Sequence, residues 1–351
     1  MNLLILTQKV NYNDTDLGFF HKWIIEFSKH YEKVTVVCLE KGDYDLPNNV
    51  KVLSLGKEKK LGRIRYLINF YKYIIKERND YDIVFVHMNK EYIVWGGFIW
   101  KMLKKKISLW YVHKKVGLSL RIAEKFADKI FAATEKSFRL PTNKLEIVGH
   151  GIDIDKFMIT DAERNNRNDD IFEIITVGRI SPVKDYETLI RAVEILAKNG
   201  MRLKVKIIGE PGRKEQEEYF QNLKEIVKNK NLDKDIKFLG AIPHNKLKKY
   251  YLADLFAHMS GTGSLDKAIL EAMVSGILVL SCNDASREVL KDFKNDLIFK
   301  KGDYKELAQK IKKIKEWNNE KKKNVSYELQ KIVMENHNLE NLIKKIVELC
   351  K

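Results

Sequence analysis

The segment FEIITVGRISPVKDYETLIRAVEILAKNGMRLKVKII (172–208) carries the reading on which the fold rests. Phe172–Gly178 is a short apolar, β-branched run that stops at a glycine, as a buried strand does. Residues 186–199 follow with an amphipathic helical pattern, and Lys204–Ile208 is a second strand. A strand, a helix and a strand with no hairpin signal between them argue for parallel strands covered on both faces. The alternation continues downstream with strands Ile236–Leu239, Leu255–Ala257, Leu278–Leu280 and Leu297–Phe299, and helical patterns at 213–229 and 266–275. Upstream it is carried by Leu3–Leu6, Val34–Leu39, Val50–Leu53, Ile83–Val86, Ile107–Tyr111, Lys129–Ala132 and Leu145–Val148. The polar, patternless stretch MITDAERNNRNDDI (158–171) reads as a linker. The expected fold is therefore α/β, with two Rossmann-like, doubly wound parallel-sheet domains, 1–160 and 170–335, facing an interdomain cleft. A terminal helical pattern, 338–351, is free to dock on the first domain.

The length of 351 residues suits two domains, each with its own core. With 44% hydrophobic and 32% charged residues and five prolines, the composition is that of a folded protein. Cys38, Cys282 and Cys350 fit no CxxC pattern and are odd in number, so reduced thiols in a cytoplasmic protein are expected. The start, MNLLILTQKV, reads as a first strand, with neither the basic region nor the apolar core of a signal peptide. The longest apolar stretch, Tyr92 to Trp100, is about half of the ~20 residues a spanning helix needs.

The formal charge is +17, and it is uneven. Residues 51–130 hold nineteen basic against seven acidic residues, and a second cluster, Lys300 to Lys323, holds ten against four. In KEKKLGRIRYLINFYKYIIKER (57–78), Leu61, Ile64, Leu67, Ile68, Tyr71, Ile74 and Ile75 recur at helical spacing, with Arg63, Arg65, Lys72, Lys76 and Arg78 elsewhere on the helix. The plainer reading packs that apolar stripe in the core and leaves the charges solvated. The sharper one attracts the helix to an anionic membrane surface, at about 1 kcal/mol per Lys or Arg close to the lipid. A nucleic-acid partner is not expected, because no RNP, zinc-finger or glycine-clamp motif accompanies the charge.

Two stretches have the makings of a site. In GRISPVKDYETLIRA (178–192), Gly178 ends a strand where backbone approaches a ligand, Arg179 and Lys184 offer two cations, and Asp185 stands as the helix N-cap. Two cations and free N–H groups at a helix start suit a diphosphate. In SGTGSLDKAILEAMVSG (260–276), Gly261, Gly263 and Ser264 form a loop entering a helix, and Glu271 is a carboxylate among apolar neighbours that sugar hydroxyls would satisfy. The plain alternatives are a surface loop with two cations and an ordinary glycine-containing turn.

GRISPVKDYETLIRA, SLDKAILEAMVSG (264–276) and GHGIDIDKF (149–157) resemble, in order and spacing, the nucleotide-sugar glycosyltransferases of family 4, the group 1 glycosyltransferases, which have the GT-B fold. The resemblance implies a donor diphosphate on Arg179 and Lys184 with Gly178 making room, and ribose hydroxyls on Glu271, the second glutamate of that family's paired motif. The first glutamate falls at Gly263, a departure that leaves the sugar open, with Asp266 as a candidate substitute. The donor-binding set implied is Gly18, Gly178, Arg179, Lys184, Gly209, Gly263, Ser264, Leu265, Asp266 and Glu271. Gly18 belongs to QKVNYNDTDLGFFHKW (8–23), which corresponds to the family's glycine-rich loop; His21 in that loop and His87 after a strand are acceptor-side candidates. His113, following the strand Ile107–Tyr111, joins Arg179 and Lys184 as a catalytic candidate, well placed to hydrogen-bond a developing charge.

The function implied is a retaining transfer of a sugar from a UDP- or GDP-linked donor to the hydroxyl of a glycan or lipid-linked acceptor in polysaccharide or glycolipid synthesis. No DxD motif or histidine-rich cluster is present, so no metal or other cofactor is expected. A sugar-nucleotide epimerase of the same fold and a non-catalytic basic membrane- or polyanion-binding protein stay open as alternatives. The expected setting is cytoplasmic, with the inner membrane face as a peripheral location.

Overall fold

The computed structural model describes residues 1–165, 171–261 and 265–351. Among these, twelve strands form two wholly parallel sheets. The first unit comprises Met1–Asp153, Pro243–Asn245 and His337–Lys351, and the second Ile154–Ile242 and Lys246–Asn336.

In the first unit, β1 (Leu3–Val10), β2 (Val34–Lys41), β3 (Val50–Ser54), β4 (Ile83–His87), β5 (Lys106–Trp110), β6 (Lys129–Ala132) and β7 (Leu145–Ile147) pair in the order β3-β2-β1-β4-β5-β6-β7. The inner strands β1, β2, β4, β5 and β6 are largely buried on both faces, which is why they read as apolar runs rather than alternations. The pleat still sorts them. Leu3 and Ile5 of β1 join one core cluster and Leu4 and Leu6 the other, and β4 does the same with Ile83 and Phe85 against Val84 and Val86. One cluster is covered by helices Phe19–Ser28 and Leu339–Cys350, the other by Arg63–Lys76, Glu91–Met102 and Leu118–Phe126.

The helix Arg63–Lys76 corrects an expectation. Of the stripe assigned to the core only Ile74 is fully buried, joined by Phe70, while Ile64, Leu67, Ile68 and Ile75 are exposed. Phe70 decides the orientation, its ring meeting those of Tyr92, Trp95 and Trp100 at centroid distances of 5.7, 5.9 and 6.0 Å. A ring buries more area than an isoleucine, so the aromatic side faces in.

The second unit contains β8 (Phe172–Val177), β9 (Leu203–Ile208), β10 (Ile236–Phe238), β11 (Leu255–His258) and β12 (Leu278–Ser281), in the order β10-β9-β8-β11-β12. Strands are added first on one side of β8 and then on the other, so β8 and β11 flank a topological switch point. The carboxyl ends of strands at such a point are where open α/β sheets bind ligands. The stretch expected to be a linker begins as a short helix, Asp161–Asn165, because Thr160 and Glu163 cap it reciprocally: the Thr160 N–H donates to Glu163 Oε2 at 2.8 Å and the Glu163 N–H to Thr160 Oγ1 at 3.3 Å.

The terminal helix returns to the first unit through a short parallel bridge, Ile152 with Asn338. The Ile152 N–H donates to the His337 carbonyl at 2.7 Å, the Leu339 N–H donates to Ile152 at 3.0 Å, and the Asn338 side chain caps the helix by accepting from Asn341. Gly151 is required beside this bridge. Its φ is +69°, and a Cβ there would lie 2.7 Å from the Trp23 ring. His337 is buried at the same junction, and its Nδ1 has no partner among the described residues.

Burial pushes the His337 imidazole down to about 4. Between pH 4 and the ordinary value of 6.5 the unfolded chain binds a proton that the folded chain refuses, so stability falls as pH drops through that window. The loss is on the order of 1 kcal/mol per pH unit. Denaturant unfolding across that range is expected to show this slope, and His337→Gln, which cannot titrate, is expected to flatten it.

Candidate functional site

The loop after β8 is shaped by two glycines. Gly209, at the end of β9, has φ +143°, and a Cβ on it would sit 2.0 Å from the Gly178 carbonyl oxygen. Any side chain there would force apart strand ends that are joined by the Gly178 N–H donating to Ile208 O at 2.9 Å. The Gly178 carbonyl also accepts from the buried Tyr186 hydroxyl at 2.7 Å, which ties the loop to the following helix. Arg179 leaves this turn exposed, with its stem along Gly212: a Cβ on Gly212 would meet Arg179 Cδ at 2.7 Å and Nε at 2.8 Å.

A 3-10 turn, Pro182–Lys184, leads to the helix Tyr186–Lys198. Asp185 stands at its N-cap, but in the left-handed region at φ +49°, and its carboxylate accepts from the Thr188 hydroxyl at 2.8 Å rather than from a backbone N–H. The first helical amide, Tyr186 N–H, donates instead to the Tyr219 hydroxyl at 3.1 Å. The helix start is therefore less open to an anion than the sequence suggested.

Lys184 turns to Asp266. Its ammonium pairs with Asp266 Oδ2, and the same oxygen lies 2.6 Å from His258 Nε2. His258 closes β11, the strand next to β8, and is buried. Its Nε2–H donates to the carboxylate, and its Nδ1 has no partner among the described residues. Burial alone would raise the Asp266 pKa, but the Lys184 ammonium and the His258 ring hold it far below the usual carboxylate range. Asp266 immediately precedes the helix Lys267–Val274, which carries Glu271.

Glu271 is buried, as its apolar neighbours implied, and Tyr251 Oη donates to its Oε2 at 3.1 Å. Burial, and then the adjacent carboxylate, push the Tyr251 hydroxyl well above its ordinary value, so it stays protonated as a donor. Leu265 is a core side chain. Gly263 and Ser264 lie outside the described residues. Lys301 is a further cation here: a Cβ on Gly261 would lie 2.4 Å from its side chain.

In the first unit, Gly18 closes a turn around Asp14. A Cβ on Gly18 would lie 2.4 Å from the Asp14 carbonyl, and the Asp14 carboxylate accepts from Asp16 and Leu17 N–H at 3.0 and 2.7 Å and pairs with Lys9 at 2.8 Å. His21, in the next turn, accepts at Nε2 from the Asp45 N–H at 3.1 Å. His87 ends β4 only 2% exposed, stacked on Phe20 at 4.0 Å, with Thr7 Oγ1 3.4 Å from its Nδ1. His113 is exposed in the loop after β5, edge-on to Tyr111 at 5.7 Å. Desolvation, and then the Lys90 ammonium, lower its pKa.

Thus Lys184 meets Asp266, Gly178 meets Gly209, and Glu271 faces Tyr251 rather than Asp266. His258, Tyr251 and Lys301 were not anticipated. His258 carries the same signal as His87 and His113, a histidine at the carboxyl end of a strand. Among the described residues no group of three or more His, Cys, Asp or Glu is placed to hold a metal ion, and no helix is long and apolar enough to cross a membrane.

Comparison with known proteins identifies the family. The family model for glycosyl transferases group 1 matches residues 158–332, and that for glycosyl transferase 4-like proteins matches residues 12–131. No curated protein matches the sequence. Among solved structures, HepE of Anabaena in complex with UDP is similar at TM-score 0.79 and 18% identity, covering 99% of each chain. A glycosyltransferase of Rickettsia africae has a TM-score of 0.76 at 15% identity over 100% of this chain and 98% of its own. Sucrose-phosphate synthase of Thermosynechococcus elongatus has a TM-score of 0.76 at 14% identity over 99% and 98%. The parallel sheets are those of the GT-B fold, and the chain belongs to the group 1 glycosyltransferases.

Proposed function

We propose that this glycosyltransferase moves a sugar from a nucleoside-diphosphate donor to the hydroxyl of a glycan or lipid-linked acceptor, with retention at the anomeric carbon. The observation that supports it is the assembly of Arg179, Lys184, Asp266 and His258 at the carboxyl ends of β8 and β11. In this reading Arg179 and Lys184 take the donor diphosphate, Gly178 and Gly209 let its oxygens approach the backbone, and Glu271, oriented by Tyr251, takes the ribose hydroxyls. The Anabaena neighbour has been crystallised with UDP and with UDP-glucose, which makes UDP-sugars the first donors to test and GDP-sugars the second.

The bond from the anomeric carbon to the diphosphate oxygen breaks while the acceptor oxygen bonds that carbon on the same face. The acceptor proton passes to the departing phosphate oxygen. Charge on the diphosphate grows during this step, and fixed cations that strengthen their hold as it grows lower the barrier. The proposal assigns that task to Arg179 and Lys184, with His113 hydrogen-bonding near the donor sugar, and includes no metal. Asp266 occupies the neighbourhood of the missing first glutamate. Shared between Lys184 and His258, it acts as a positioning residue that aims the lysine.

Sugar nucleotides of the right base are expected to raise the melting temperature, and Lys184→Ala to abolish that rise. The same substitution leaves Asp266 with His258 alone and is expected to cost about 1–2 kcal/mol of stability, because the pair is only partly buried. If neither UDP- nor GDP-sugars move the melting temperature of the unmodified protein, and Lys184→Ala changes nothing, the transferase assignment of this loop is wrong.

His258 separates positioning from mere packing. His258→Gln keeps an N–H where Nε2 donates and is expected to retain donor affinity within about threefold. His258→Phe fills the space without a donor and is expected to raise the donor KM about tenfold or more, with a smaller change in kcat, in line with a charged hydrogen bond of ~1.5–3 kcal/mol. Equal KM values for the two variants would mean that His258 only packs.

A further inference from the structure

The first unit carries an apolar surface that its own fold leaves uncovered. Helices Arg63–Lys76, Glu91–Met102 and Leu118–Phe126 lie side by side on one face of the seven-stranded sheet. Tyr71 Oη donates to the Trp95 carbonyl at 3.2 Å, and Gly97 lets the second helix press on Phe126, whose ring would stand 2.7 Å from a Cβ there. Their inner sides supply Phe70, Ile74, Tyr92, Trp100 and Leu120 to the core.

Their outer sides are not polar. On the first helix Ile64, Ile68 and Ile75 fall at i, i+4 and i+11, a single stripe, and Ile64 is 79% exposed. On the second, Trp95, Phe98 and Met102 fall at i, i+3 and i+7, with Phe98 66% and Met102 69% exposed. Leu118, 74% exposed, begins the third. Single exposed apolar residues are ordinary; seven on three adjacent helices are not. The middle helix, EYIVWGGFIWKM, is apolar nearly all round, a composition suited to burial on every side.

The charge beside these residues says what covers them. From Lys59 to Lys76 there are six Lys or Arg and no Asp or Glu, and from Tyr92 to Ala123 seven and none. On the first helix Arg65, Lys72 and Lys76 run along one flank of the stripe and are exposed. The acids nearest in sequence are engaged: Glu58 with the Ser54 hydroxyl at 2.7 Å, Glu77 with Lys51 at 2.7 Å, Glu91 with Lys90 at 2.9 Å, Glu124 with the Thr142 hydroxyl at 2.8 Å, and Asp128 with Lys101 at 2.5 Å. A second copy of the chain docked on itself here would set this positive surface against its own image, at an electrostatic cost. A polyanion such as nucleic acid would meet the charges and leave Ile64, Met102 and Leu118 wet.

We propose that this face lies on an anionic lipid bilayer, with the apolar stripes at the boundary between headgroups and acyl chains and the Lys and Arg side chains among the phosphates. Lys105 takes no part: its ammonium sits 5.0 Å from the Tyr81 ring centroid and donates to the Tyr81 carbonyl. The inference deepens the acceptor side of the reading above, since it brings the first unit to the surface where a lipid-linked acceptor resides, and it rests on that reading only for the acceptor.

The test is sedimentation of the full chain, without nucleotide, with vesicles of phosphatidylglycerol and phosphatidylcholine and with vesicles of phosphatidylcholine alone. The chain is expected to pellet with the anionic vesicles only, and less as salt rises. Ile64→Ser/Phe98→Ser/Leu118→Ser is expected to weaken binding about tenfold or more, and Arg65→Gln/Lys72→Gln about fivefold per charge removed. All five side chains are exposed, so both variants are expected to keep the melting temperature. Failure of the unmodified chain to pellet with anionic vesicles overturns the proposal, as does unaltered binding by the apolar variant. A dimer in light scattering that the apolar variant converts to a monomer also overturns it, because the face would then be covered by a second copy. Vesicle binding without any sugar-nucleotide melting shift would sink the donor reading and leave this one standing.

Discussion

One carboxylate oxygen, Oδ2 of Asp266, joins the loop after β8 to the end of β11, 82 residues along the chain from Lys184 to Asp266. Lys184 comes from the turn after β8, His258 from the end of β11, and Asp266 from the start of the helix that carries Glu271. A carboxylate moved out of water needs compensating partners, and here an ammonium and an imidazole N–H supply them. The arrangement fixes where the lysine points before any ligand arrives. It also sets the charge an incoming anion meets, because Lys184 is already paired with a carboxylate that it shares with His258. Arg179, exposed with its stem packed along Gly212, is the second cation of the loop.

That junction is possible only because the strand ends beneath it are pressed together. Gly209 against the Gly178 carbonyl is a contact that no side chain permits, and Tyr186 locks that carbonyl from the helix side. Rigid strand ends let a short turn of three residues set the position of Lys184, and place His258 next to it through the parallel pairing of β8 with β11.

Much of this was legible in the sequence, and the reason lies in locality. Strand and helix alternation is a pattern within windows of a few residues, so the parallel sheets followed from runs such as Leu3–Leu6 and Phe172–Gly178. The glycines, Arg179, Lys184 and Glu271 sit in continuous motifs. Their partners do not. That Lys184 reaches Asp266 and His258 depends on strand order in the second unit, which pairs Ile174 and Ile175 with Leu255 and Phe256, and no local pattern encodes it. Asp185 shows the same limit at short range, because the residue type of an N-cap was right while its hydrogen bond goes to a neighbouring hydroxyl. The helix Arg63–Lys76 shows it in periodicity, which reveals that an apolar stripe exists but not which of two apolar sides is inward. Phe70 settled that by joining Tyr92, Trp95 and Trp100, and the isoleucines were left outside.

The two basic clusters of this chain look alike in composition and differ in structure. In the second, around Lys300 to Lys323, the charges are answered locally: Lys313 meets Asp296 at 2.6 Å, Lys310 and Lys312 reach Glu306 and Glu316 one turn away, and Lys321 sits 4.1 Å over the Trp317 ring. Surface pairs of this kind add little stability, but they cancel the field at a distance. In the first cluster the helix Arg63–Lys76 holds no Asp or Glu, the acids of its two neighbours, Glu91 and Glu124, lie at their ends and are engaged by Lys90 and the Thr142 hydroxyl, and the exposed residues beside the cations are isoleucine, phenylalanine, methionine and leucine. Charge density alone therefore does not distinguish a solvated helix from a docking face. The distinction lies in whether carboxylates or apolar side chains occupy the spaces between the lysines, and in this protein both arrangements occur in one chain.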